Sequence, residues 1–217
     1  MIPRTRYRVL AGLLSLPFLL LAMGLALPAS AEDAAAPTPE AKLNELTAEY
    51  TIRYQFSGAA QAIPVAQQAL AVAEEAFGPD HERVAQVLND LGHLHQAQHE
   101  LEQAGQLHER ALKIRERVFN SDGPAVVQSL VNLAKVHTAR KRYTEAQPLF
   151  ERALAIAERH VPPTDPFLIG ALEPYADVLR RRRNTKAAKA VQDRIKEIRA
   201  AQREKAGQGT SINDVLR

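Results

Sequence analysis

The chain has 217 residues, 24% of them charged, a formal net charge of +3 and no cysteine. Without cysteine the fold neither needs nor is endangered by an oxidising compartment, and lipid attachment through an N-terminal cysteine is excluded. The 28 basic and 25 acidic residues nearly balance, which gives a nucleic-acid function no support.

Residues 1–31 carry a basic start at Arg4, Arg6 and Arg8, an apolar stretch over 9–27 and a small-x-small ending at Ala29, Ser30 and Ala31. This is the pattern of a secretory signal peptide cut after Ala31, and it places the mature chain in the periplasm or outside the cell. An uncleaved membrane anchor is the competing reading, since the apolar stretch approaches spanning length. Gly12, Pro17, Gly24 and the cleavage pattern favour the signal peptide. Removing its three arginines leaves the remaining chain formally neutral, with 25 acidic residues against 25 basic ones. Residues 32–41, with Pro37 and Pro39, read as a short linker.

From there the chain repeats itself. Val84, Gln86, Leu88 and Leu91 recur as Val126, Gln128, Leu130 and Leu133, a period of 42 residues. Further along, Glu109, Arg110, Ala111 and Leu112 recur as Glu151, Arg152, Ala153 and Leu154. The same period runs back to Ala62 and Ala69 and forward to Leu172, Tyr175, Ala188 and Ile198. A fixed period in the range of about 20–50 residues marks stacked structural units. Four units are expected, at about 42–79, 82–120, 124–161 and 166–200, with residues 201–217 as a basic and polar tail. The outer two match less well, as the ends of a stack must each turn one face to water.

Within a unit the apolar positions have helical spacing. Leu88, Leu91 and His95 form one stripe, and Ala104, Leu107, Ala111 and Ile114 form the next. Short polar breaks at 98–100 and 140–142 separate the two helices of a unit. Breaks richer in turn formers separate the units: Phe77 to Asp80 with Gly78 and Pro79, then 120–124, then 161–166. Pro124 and Pro166 are expected in the first turns of leading helices, where a missing N–H costs little. Small residues recur where the paired helices cross, at Gly92, Ala134 and Ala176 on the first helix and Ala104, Ala146 and Ala188 on the second. No segment has a strand pattern. The expected fold is all-α, a right-handed α-solenoid of antiparallel helix pairs.

These features resemble the tetratricopeptide repeat, in its longer form found in kinesin light chains and bacterial relatives. The match rests on Phe77, Gly78, Pro79, Asp80 and His81, on Leu88, Asn89, Leu91 and Gly92, and on Tyr143, Ala146, Pro148, Leu149 and Phe150. It covers roughly residues 43–200. The chain departs from the pattern at Glu82, where a proline usually follows the histidine, at the degraded turn of Asn120 and Ser121, and at Thr185 and Ile195 in the last unit. The resemblance implies leading helices along a concave side and a function in holding other proteins rather than in catalysis.

The candidate partner-binding residues follow from that arrangement: Gln86, Asn89, His93 and Gln96, then Gln128, Val131, Asn132, Lys135 and Thr138, then Glu173, Asp177 and Arg180. Asn44, Thr47, Thr51 and Tyr54 extend the row onto the first helix in a looser register. Amides donate and accept at once, which suits an extended peptide backbone. For Asn132 two readings stand side by side, a groove amide and a bond to the neighbouring helix. Lys135 and Arg180 alone do not make a carboxylate clamp.

Seven histidines invite a metal reading, chiefly His93, His95 and His99. His95 recurs as His137 at a position that wants a half-buried ring, and no cysteine or well-placed carboxylate completes a ligand set. His108 stands in the place of Phe150 and reads as a packing residue. Neither a metal nor another cofactor is expected. Nor is an enzyme, since no nucleophile with a base, phosphate loop or isolated carboxylate pair appears.

Residues 180–217 hold twelve basic and four acidic residues. That balance reads first as a solvated capping helix, and second as a surface for an acidic partner or another copy of the chain. The functional expectation is an exported adaptor or scaffold that holds a protein or peptide in its concave groove, in a bacterial envelope assembly. The alternative is a self-assembling structural protein that uses the basic last helix, so a homo-oligomer belongs to that reading alone.

Overall fold

The computed structural model describes residues 37–211. The expected signal peptide, with its expected cleavage site, and the last residues of the tail lie outside them. Within them are eight α-helices, one short 3-10 turn and no strand. The helices form four antiparallel pairs: α1 (Pro39–Ser57) with α2 (Ala59–Phe77), α3 (Glu82–Ala97) with α4 (Leu101–Val118), α5 (Pro124–Ala139) with α6 (Tyr143–His160), and α7 (Ile169–Arg181) with α8 (Thr185–Ser211). Each helix packs on the one before and the one after it, so the described chain is an α-solenoid.

Pairing follows the 42-residue period, and its ends differ in detail from the expected units. The α1 helix starts at Pro39, within the stretch read as linker, because Thr38 accepts the Ala41 N–H and Pro39 sits where no donor is needed. At the other end α8 continues past Ala200 to Ser211, through residues read as tail. Alanine, lysine, arginine and glutamine over 201–206 are good helix formers and no proline interrupts them, so the helix runs on past Gly207 and Gly209.

The turn inside each later pair closes the same way. The Glu100, Arg142 and Asn184 N–H groups reach back to the His95, His137 and Leu179 carbonyls at 2.9, 2.8 and 2.9 Å. The residues just before them, His99, Lys141 and Arg183, take left-handed backbones with φ of 60–61°. Glycine often fills that place; in the first pair Ser57, one period before His99, is still helical, and Gly58 follows it with φ 87°.

The apolar core falls into two clusters that meet on α4. Ala111 and Ile114 belong to a cluster running back to Leu43, while Leu112 belongs to one running forward to Ile198. The buried polar side chains gather at this seam: His108 and Arg115 on α4, Ser129 and Asn132 on α5. Arg115 donates to Glu82 Oε1 at 3.0 Å and to Ser129 Oγ at 2.9 Å, so one cation joins α3, α4 and α5. A buried cation held by hydrogen bonds on both sides fixes register; stripping its partners would strand it.

On the second helices a row of ion pairs repeats with the units. Arg110 meets Glu74 at 2.6 Å, Arg152 meets Glu116 at 2.6 Å, and Arg194 meets Glu158 at 2.5 Å. Arg110 and Arg152 recur one period apart. They are partly exposed, and each also reaches the preceding pair. The signal was present as a glutamate 36 residues before each arginine, in three successive units.

Candidate functional site

The leading helices α1, α3 and α5 bring the expected groove residues into three distinct situations. Gln86, His93, Gln128 and Lys135 are exposed. Gln86 and Gln128 occupy the same repeat position on adjacent leading helices, so their amides form a short open row. Asn89, Gln96, Thr138 and Asp177 are half-buried, and Arg180 and Glu173 are exposed on α7. Among the looser candidates, Asn44, Thr51 and Tyr54 are exposed and Thr47 is half-buried.

Val131 and Asn132 are buried. The Asn132 amide donates to Asn89 Oδ1 at 2.6 Å and stands 3.2 Å from His93 Nε2. Of the two readings of Asn132, this geometry is the helix-to-helix bond; Asn132 ties α5 to α3 beneath the groove. Thr138 turns its hydroxyl back to the Ala134 carbonyl at 2.8 Å, and Arg180 pairs with Asp177 at 3.3 Å. Side chains bonded in this way shape the groove wall, while Gln86, His93, Gln128 and Lys135 stay exposed beside them.

A polar network underlies the groove at α3. Gly92 lets the His108 ring approach so closely that a Cβ there would stand 2.6 Å from the ring. His108 is fully buried, its Nε2 sits 3.2 Å from Gln96 Oε1, and its ring meets His93 edge-on at 5.1 Å between centroids. Burial pushes the His108 imidazole down to about 3, helped by the nearby His93 and Arg115. The ring is therefore neutral at physiological pH and donates from Nε2 to Gln96. Burial of its inner edge also lowers His93, although the outer face of that ring is open; Asp90 and Gln96 oppose the shift.

The remaining rings have local partners. His95 and His137 are half-buried and face Glu100 and Glu145 at 2.5 and 3.1 Å, while His99 lies in the exposed turn. Among the described residues no group of three or more His, Cys, Asp or Glu side chains is placed to hold a metal.

Sequence reasoning missed Tyr50 and Asp90. Tyr50 is buried and donates its hydroxyl to Asp90 Oδ2 at 2.6 Å, joining α1 to α3. Burial, with the hydroxyl bond to Asp90 next, raises the Tyr50 hydroxyl well above its ordinary range, so it stays protonated. The available signal was the register: Tyr50 stands where later units have Gly92, Ala134 and Ala176, and Ala66 stands where they have His108 and Phe150. The first pair thus places the large ring on the leading helix and the small residue on the second.

A solenoid of helix pairs with an open row of polar side chains on its leading helices defines a class of interaction scaffolds. The tetratricopeptide repeat family model matches residues 54–104 and 83–159, so these residues are built of tetratricopeptide repeats. Among solved structures, BtubC (BKLC) from P. vanneervenii is similar with a TM-score of 0.71 at 22% identity, over 80% of this chain and 69% of that one. The kinesin-light-chain TPR-like repeats of Podosopora anserina are similar with a TM-score of 0.66 at 17% identity, over 77% of this chain and 80% of that one. These likenesses concern the fold. No curated protein matches the chain.

Proposed function

We propose that the chain is an exported adaptor whose leading helices hold an extended segment of a partner protein, in a bacterial envelope assembly. The observation that carries this reading is the open pair Gln86 and Gln128, one period apart on α3 and α5, beside exposed His93 and Lys135. Two amides at one repeat position can bond successive peptide groups of a single extended strand. Export rests on the basic, apolar and small-x-small pattern of residues 1–31.

Asn89 is a poor probe, because removing its carbonyl takes from the buried Asn132 amide the shorter of its two contacts. Gln86→Ala with Gln128→Ala changes only exposed amides. The double variant is expected to lose most capture of the protein partner pulled down from periplasmic extract, while its melting temperature stays at the parent value. Unchanged capture would refute the groove.

A second reading has its own support. Lys186, Lys189 and Lys205 are exposed on α8. This basic helix suits the acidic part of a second copy. A dimer in low salt that dissociates in high salt would establish self-assembly, and a monomer under both conditions would remove it.

A further inference from the structure

Between α1 and α3 lies a cleft of about 650 Å³, lined among others by Tyr50, Thr51, Tyr54, Asp90, His93 and Gln96. Asp90 is half-buried there. Its carboxylate accepts from Tyr50 at 2.6 Å and more weakly from Asn89 at 3.5 Å, both neutral donors. A carboxylate has about four acceptor positions, and these two bonds leave capacity unused. Among the described residues, ion pairs engage Glu74, Glu82, Glu102, Glu116, Glu158 and others, but none engages Asp90.

The surroundings sharpen what could complete it. His93, one turn along α3, is held toward its neutral form by burial and does not supply the cation. Tyr54 is 49% exposed, so its ring is available at the mouth of the cleft. A half-buried carboxylate beside an available aromatic face is the combination that takes a guanidinium, by charge-assisted hydrogen bonds and by stacking. Lys135, whose charge reaches His93 from α5, disfavours a second cation farther along the groove. The chemistry is also confined to one place, because the repeat position of Asp90 holds Asn132 and Pro174 in the next units.

We propose that this cleft takes one arginine side chain of the bound segment, its guanidinium set against the Asp90 carboxylate and the Tyr54 ring. The proposal rests on the groove reading and names the partner's chemistry: an extended segment with a basic residue directed to the α1–α3 end.

The test uses the full chain and a capped pentapeptide, Ala-Ala-Arg-Ala-Ala, titrated at low salt while the tyrosine and histidine ring resonances are followed by NMR. The Tyr54 and His93 signals are expected to shift. Replacing arginine by citrulline, which keeps the shape and removes the charge, should weaken binding about tenfold or more, the size of a lost charge-assisted hydrogen bond. Asp90→Asn keeps an acceptor for Tyr50 and should weaken the arginine peptide to the same extent. Tyr54→Leu, which leaves the Asp90 network untouched, should weaken it to a smaller extent.

Equal binding of the citrulline peptide, an unaffected Asp90→Asn variant, or no ring shifts at millimolar peptide would overturn the proposal. If the same rings shift on raising the protein concentration alone, and Asp90→Asn abolishes that shift, the occupant is another copy and the separate partner segment falls. Loss of partner capture in the Gln86 and Gln128 double variant but not in Asp90→Asn would keep the groove and discard the arginine pocket. Full capture in both variants would discard the groove itself.

Discussion

The second and third helix pairs cross at equivalent residues, yet one crossing is polar and the other is not. In the second pair Gly92 faces His108, with Arg115 buried one period before Ala157 and fixed between Glu82 and Ser129. In the third, the same places hold Ala134 and Phe150, both within an apolar cluster that continues to Leu172 and Ile198. The imidazole, with its edge against His93, takes the glycine; the phenyl ring tolerates an alanine. Equivalent repeat positions therefore carry two chemistries, and of the two crossings the second holds the titratable ring.

The contrast can be broken first at its apolar side. Phe150→Ala empties a fully buried position and is expected to cost about 3–5 kcal/mol in urea unfolding. A loss of under about 1 kcal/mol would mean that the third crossing is not the packed centre described.

Acid sharpens the comparison next. The folded-state value of His108 is about 3 against an ordinary 6.5, so the unfolded chain binds the proton more readily. Stability from this group is full above about pH 6.5 and drains away as pH falls toward about 3. By about pH 5 the loss from this group is about 2 kcal/mol. His108→Phe, which copies the third crossing, should flatten that part of the stability–pH curve and leave the smaller slope due to His93. An unchanged slope in the variant would show that His108 is not the group responsible.

Gly92→Ala is the smallest change in atoms. A Cβ 2.6–2.9 Å from three atoms of a fully buried ring forces that ring to move. The expected cost is about 1–3 kcal/mol from overpacking, less whatever alanine restores in helix propensity. The same substitution in a His108→Ala background should be neutral or stabilising. Additivity in that double-mutant cycle would disprove the close contact.

Much of this was legible in the chain before any coordinates. The 42-residue period placed the helix pairs, the glycine- and proline-rich breaks placed the turns, and the small residues Gly92, Ala134 and Ala176 marked the crossings. His108 in the place of Phe150 pointed to a buried ring. Those inferences concern spacing along one chain, which the pitch of a helix converts directly into faces.

Other features depended on what two helices present to each other. Whether Asn132 opened to the groove or bonded Asn89 turned on a few ångströms between α3 and α5. Tyr50 on Asp90, and the glutamate–arginine pairs from unit to unit, likewise join residues some 40 positions apart, and local periodicity says nothing of their distance. The residue pattern determined by itself that the chain would stack helix pairs, because each pair leaves an apolar flank that only a neighbour can cover. Tertiary structure alone decided which polar groups meet beneath the groove and which, like the Asp90 carboxylate, remain without a cation, because burial and direction exist only after the helices have packed.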